Sequence, residues 1–156
     1  MLNSKELLIL SNLRNNSRES LTRMSRRIAI PVSTIYDKIK TYEQSLITRN
    51  TCLIDFTQLG YNTRATIMVK TKREDKDRLR EHLLKNKHVN CCYKITSGYD
   101  YLIECVFREL RDVELFMEAL EKDFTLEQKQ VYYILEDVRK EAFLSNPELL
   151  KLVGLP

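Results

Sequence analysis

Residues 20–49 read SLTRMSRRIAIPVSTIYDKIKTYEQSLITR, and their spacing decides how the first third of the chain folds. Ser20 stands where a helix N-cap is needed, and Leu21, Met24 and Ile28 then recur at helical intervals. Ala29-Ile30-Pro31 interrupts the pattern. Pro31 fixes φ near a helical value, and its missing N–H costs nothing at a helix start. Beyond it Ile35, Ile39 and Tyr42 fall four and three residues apart and mark the buried face of the next helix. Six of these thirty residues are Lys or Arg, against two acids. Two short amphipathic helices joined by a tight break, with a basic excess on the exposed side, make the pattern of a helix-turn-helix.

Upstream, a helix is predicted over Ser4 to Arg14, capped by Asn3 or Ser4, with Leu7, Leu10 and Leu13 as its buried stripe. Asn15-Asn16-Ser17 ends it, because these side chains compete for backbone hydrogen bonds. Downstream, Leu46 to Ile54 is rich in β-branched residues and reads as a short strand or wing. Near Cys52 the period changes. Asn62 to Thr71 alternates with Ala65, Ile67 and Val69 on one face, and Glu74 to Asn86 is a charged helix with Leu79 and Leu83 inward. His88 to Thr96 alternates through Val89, Cys91, Tyr93 and Ile95. After a turn, Ser97-Gly98-Tyr99-Asp100, the next strand carries Tyr101, Ile103, Cys105 and Phe107 on one face. Leu110 to Lys122 is a helix buried through Val113, Phe116 or Met117, and Leu120, and Glu127 to Asp137 closes the set as a strand. The order β-α-β-β-α-β is that of a ferredoxin-like sandwich. In the tail, Ser145 or Asn146 can cap a last short helix that has Pro147 at its first position.

The fold class is therefore α+β: an N-terminal winged helix-turn-helix at 1–50, a wing and connecting segment at 51–60, a ferredoxin-like βαββαβ sandwich at 61–138, and a tail at 139–156. The 156 residues carry a net charge of +4, and it is unevenly placed. Residues 1–50 hold nine Lys or Arg and four acids, whereas residues 51–156 hold seventeen and eighteen. A polyanion would meet the N-terminal third. No apolar run is long enough to span a membrane, and MLNSKELLIL lacks the basic lead-in of a signal peptide, so a cytoplasmic protein with no membrane partner is expected. Cys52, Cys91, Cys92 and Cys105 form no C-x-x-C pair, and His82 and His88 are the chain's two histidines, so neither a metal site nor a cofactor is expected.

These elements, in this order, resemble the leucine-responsive/asparagine-regulator (Lrp/AsnC) family of transcription regulators. The resemblance lies in Ile9-Leu10-x-x-Leu13, Arg18-x-Ser20, Met24-Ser25-Arg26-Arg27-Ile28 and Ser33-Thr34-Ile35-Tyr36-x-Lys38-Ile39, and continues through Asp55-x-x-x-Leu59-Gly60 and Thr96-Ser97-Gly98-Tyr99-Asp100. The family commonly has Gly where Ser17 and Ala29 stand here, and before the apolar pair that Leu46-Ile47 matches. The resemblance implies a RAM/AsnC-type second domain that dimerises, and a turn at Ser97, Gly98, Tyr99 and Asp100 that helps to bind a small effector, usually an amino acid. Gly98 permits close backbone approach there, and Asp100 suits an α-ammonium group; an ordinary turn with Asp satisfying backbone amides is the competing reading.

In a helix-turn-helix the second helix of the motif enters the major groove. Ser33, Thr34 and Tyr36 are then the candidates for base edges. Asp37 either accepts from a cytosine amino group or pairs with Lys38 or Lys40. Lys38 and Lys40, with Arg23, Arg26 and Arg27 on the preceding helix and Arg49 on the wing, are the candidates for phosphates. The expected partners are double-stranded DNA and further copies of the chain, as a dimer or as a tetramer or octamer. One face of the sheet is left apolar through Cys92, Leu102, Val106 and Tyr132 or Tyr133, which a second copy would cover. The chain is not expected to be an enzyme: Gly-rich phosphate loops, H-E-x-x-H and G-x-S-x-G are all missing. Two other readings share the scaffold. One is a decarboxylase acting on sirohaem, for which His88 and Arg108 are the residues on offer; the other is a signalling protein that no longer binds DNA.

Overall fold

The computed structural model describes residues 2–152, in two compact units. One unit is formed by the residues up to Leu53 together with those from Val138 onward; the other runs from Ile54 to Asp137.

The first unit contains α1 (Ser4–Asn15), α2 (Leu21–Ile28) and α3 (Val32–Ser45). Asn3 caps α1: its side chain accepts from the Glu6 amide at 3.0 Å, and the Glu6 carboxylate accepts from the Asn3 amide at 2.8 Å. Ser20 caps α2 by accepting from the Arg23 amide. Ile9, Met24, Ile30, Ile35 and Tyr42 form the core of this unit. The buried face of α1 is broader than the predicted stripe. Leu7 is buried and Leu10 and Leu13 pack half-exposed against the core, as expected, but Ile9, Ser11 and Asn12 are buried as well. LLILSNL is apolar on most sides of a helix, so its period does not orient it. Asn12 tolerates burial because its amide donates to the Leu8 carbonyl at 2.6 Å and its oxygen accepts from Arg27.

The expected wing is absent. Leu46 to Ile54 carries no strand, and Leu46, Leu53 and Ile54 are exposed. A strand exists through its partner, and β-branched composition alone supplies none.

Of the three positions where glycine was missed, one has a backbone that calls for it. Ser17 and Ser45 lie outside the left-handed region, whereas Ala29, the C-cap of α2, has φ 54° and ψ 41°. An L-residue pays about 1–2 kcal/mol for that conformation. Glycine would relieve it while adding about 0.4–1 kcal/mol of unfolded-state freedom. Ala29→Gly should therefore raise the melting midpoint of this unit by about 3 °C in a circular-dichroism melt. A lower midpoint would mean that packing of the Ala29 methyl group outweighs the strain.

In the second unit, β1 (Thr63–Thr71), α4 (Lys76–Lys85), β2 (Val89–Lys94), β3 (Tyr101–Phe107), α5 (Leu110–Asp123) and β4 (Leu126–Tyr133) follow the predicted order. The sheet is antiparallel throughout, in the order β2-β3-β1-β4, the arrangement of a ferredoxin-like sandwich. Ala65, Ile67 and Val69 of β1 and Tyr101, Ile103, Cys105 and Phe107 of β3 point to the helices, where Leu79, Leu83, Val113, Phe116, Met117 and Leu120 complete the core. Both Phe116 and Met117 are buried.

Two strand readings need correction. β4 ends at Tyr133, and Leu135 beyond it is almost fully exposed. In β2 a bulge falls between Val89, opposite Cys105, and Cys91, opposite Glu104. The extra residue, Asn90, shifts the phase, so Val89 and Cys92, rather than Val89 and Cys91, pack on the core. The open sheet face consequently carries Cys91 and Tyr93 where Cys92 was expected. Tyr132, opposite Thr66, lies on it, and Tyr133, opposite Ala65, does not. Met68, Leu102 and Val106 complete its apolar part, all half-exposed.

Candidate functional site

The exposed side of α3 begins with Ser33, Thr34 and Tyr36 in its first turns and continues to Lys40. The Lys40 ammonium lies 4.7 Å above the Tyr36 ring, and both side chains face solvent. This cation–π pairing holds the phenol and the charge together on one patch. Thr41 and Ser45 return their hydroxyls to the carbonyls of Asp37 and Thr41, at 3.0 and 2.9 Å. Arg23 and Arg26 on α2 and Arg49 after α3 are exposed. Tyr42 belongs to the core, where burial and the nearby Glu6 push its hydroxyl up to about 12.

Two of the predicted phosphate ligands are engaged inside the unit. Arg27 binds both the Asn12 oxygen and the Glu19 carboxylate, whose side chain is 3% exposed. Lys38 donates to Glu6 at 2.6 Å, joining α3 to the first turn of α1. That bond, then the Asn3 amide, holds the Glu6 carboxyl below its ordinary range. Neither pairing was visible in sequence, because 8 and 32 residues separate the partners in chain order. Lys38 therefore pairs with Glu6, not with Asp37.

In the second unit the turn holds Ser97 at φ 65° and Gly98 at φ 100°. Tyr99 donates its hydroxyl to Gln130 at 3.2 Å. Asp100 accepts from the Thr71 amide at 3.1 Å and from the Lys76 ammonium. Burial would raise its carboxyl; the Lys76 bond and the Thr71 amide outweigh this and hold it below the ordinary carboxylate range. Asp100 thus secures β1 and α4 to the turn; its amide partner belongs to β1 rather than to the turn itself, and an ammonium is already at hand.

A depressed native carboxyl contributes stability above its unfolded value, near 3.9, and that contribution is lost as pH falls through the native one. Asp100→Asn should flatten the loss of second-unit stability below about pH 4 in urea melts followed across pH. Parallel acid limbs in the two proteins would remove Asp100 from that role.

Other groups have structural posts. The His88 ring stacks on Phe107 with centroids 4.8 Å apart, and its Nδ1 lies 3.1 Å from the Val106 carbonyl. Arg108 lies over the Tyr61 ring. Among the described residues no cluster of His, Cys, Asp or Glu is placed to hold a metal ion, and no helix is long and apolar enough to cross a membrane.

Residues 64–142 match the Lrp/AsnC ligand binding domain. A Pyrococcus furiosus protein described as an HTH-type transcriptional regulator is 30% identical over 140 residues, which cover 89% of this chain and 94% of that one. A Pyrococcus horikoshii protein of the same description is 29% identical with the same coverage. Among solved structures, a transcriptional regulator from Neisseria meningitidis in complex with L-Met superposes with a TM-score of 0.84 at 20% identity, covering 97% of this chain and 99% of that one. AsnC of E. coli does so with a TM-score of 0.78 at 17% identity, covering 90% and 96%. A helix-turn-helix, a ferredoxin-like sheet in the same chain order and relatedness along nearly the whole length together establish that this chain belongs to the Lrp/AsnC family of transcription regulators.

Proposed function

We propose that the chain is a sequence-specific, DNA-binding transcription regulator that acts as a homodimer or a larger even-numbered assembly. The observation that carries the reading is the exposed face of α3. It offers Ser33, Thr34 and Tyr36 to base edges, while Arg23, Arg26, Lys40 and Arg49 remain exposed around it for phosphates. Arg27 and Lys38 act instead in holding the three helices together. The half-exposed apolar sheet face, with Met68, Leu102 and Val106, supports self-association.

An effector of amino-acid type fits the turn at Ser97 to Asp100. Lys76 and Asp100 are the counter-charges of a zwitterion's carboxylate and ammonium, and ligand would compete with their mutual pairing. The L-Met complex of the Neisseria relative supports this class of ligand. The decarboxylase reading gains nothing, because His88 is committed to Phe107 and the Val106 carbonyl.

The test is selection of a binding site from random duplexes at low salt, followed by a salt titration of the selected site. Four phosphate ligands in each of two subunits give an expected slope of log K against log salt of about −7. Failure to enrich any sequence would sink the proposal.

A further inference from the structure

The tail beyond the sheet has no part in the interface described above, yet it belongs to the same unit as the three helices. Arg14, in the last turn of α1, donates through Nε to the Phe143 carbonyl at 2.7 Å. Its terminal nitrogen reaches the Glu141 carbonyl at 3.2 Å and the Glu141 carboxylate at 3.0 Å. The 3₁₀ turn Pro147–Leu152 packs on α1, its start capped by the Asn146 side chain, which accepts from the Glu148 amide at 2.9 Å.

Two residues of the docked segment, Glu141 at φ 48° and Leu144 at φ 59°, are left-handed without being glycine. Such conformations persist where surrounding contacts over-determine them, so the docking outweighs a local cost.

α1 in turn holds both helices of the DNA-reading motif. Its first-turn Glu6 takes Lys38 of α3, and its Asn12 takes Arg27 of α2. We propose that the C-terminal tail is a strap that positions the recognition helix through α1, with Arg14 as the positioning residue that fastens it. The inference rests on the DNA-binding reading for its consequence, but not for its mechanics.

The test uses full-length Arg14→Ala, Arg14→Lys and Glu141→Gln on the selected duplex. Arg14→Ala is expected to bind roughly tenfold more weakly. Its salt slope should be unchanged, because no phosphate ligand is removed, and it should still reach full occupancy at saturation. Arg14→Lys should recover part of the loss, and Glu141→Gln, which leaves the carbonyl ties, should cost about threefold. Amide exchange in α3 should accelerate in Arg14→Ala while β1 and β3 keep their protection. Affinity within twofold of the parent, or a shallower salt slope marking Arg14 as a phosphate ligand, would overturn the strap. If Arg14→Ala does not fold, unchanged affinity in Glu141→Gln decides against it. If the parent binds no DNA at all, the DNA reading has failed, and α3 exchange alone judges the strap: unaltered exchange overturns it.

Discussion

Replacing Arg23 and Arg26 together by alanine is expected to weaken operator binding by roughly a hundredfold at about 0.1 M salt, and to make the salt slope shallower by about 3 to 4. The slope follows from two ligands lost in each of two subunits, near 0.9 per phosphate contact. Both side chains are exposed and neither enters an ion pair among the described residues, so the unit should melt as before. Arg27→Ala provides the contrast. It strands the Glu19 carboxylate, nearly buried, and the Asn12 oxygen, so about 1–3 kcal/mol of stability should go while the slope barely moves. Fluorescence anisotropy over a salt series, paired with thermal melts, separates the two behaviours. An unchanged slope in the double variant would mean that phosphates are met by other residues.

Leu102→Lys should turn the assembly into monomers and lower operator affinity by about 10²-fold or more, because two tethered half-site contacts become independent events. Leu102 sits midway along β3 on the open face, opposite Met68 on one side and Tyr93 on the other. Its side chain points away from the core, so the sandwich should fold. A lysine there would have to be buried unpaired against a second copy, which costs several kcal/mol. Sedimentation velocity reads the outcome directly. A surviving dimer would place the interface elsewhere on the chain.

The sandwich was legible in sequence wherever alternation ran uninterrupted. Ala65, Ile67 and Val69, and Tyr101, Ile103, Cys105 and Phe107, face inward as their period predicts. Caps were legible too, since Asn3 and Ser20 act through residues three positions away. What escaped was whatever depends on a partner distant in the chain. The bulge at Asn90 leaves no mark in composition, yet it exchanges the faces of Cys91 and Cys92. The apolar breadth of α1 hid the burial of Ile9, Ser11 and Asn12 beside the predicted stripe. Of the proposed DNA ligands, Arg27 and Lys38 could not be told from Arg23 and Arg26 until Glu19 and Glu6 were found beside them. Asp100 was recognisable as a turn residue, but its Lys76 partner stands 24 positions away.

The grip of Arg14 on the tail joins residues 127 and 129 positions apart. A ribosome adding about 5–20 residues per second needs roughly ten seconds to cover that distance. α1 must therefore wait for partners made after every strand of the sheet, which is already being assembled between them. In order of synthesis the helical unit is begun before the sheet and completed after it, so a chain halted between Asp137 and Glu141 lacks the grip on α1 while all its sheet strands are present.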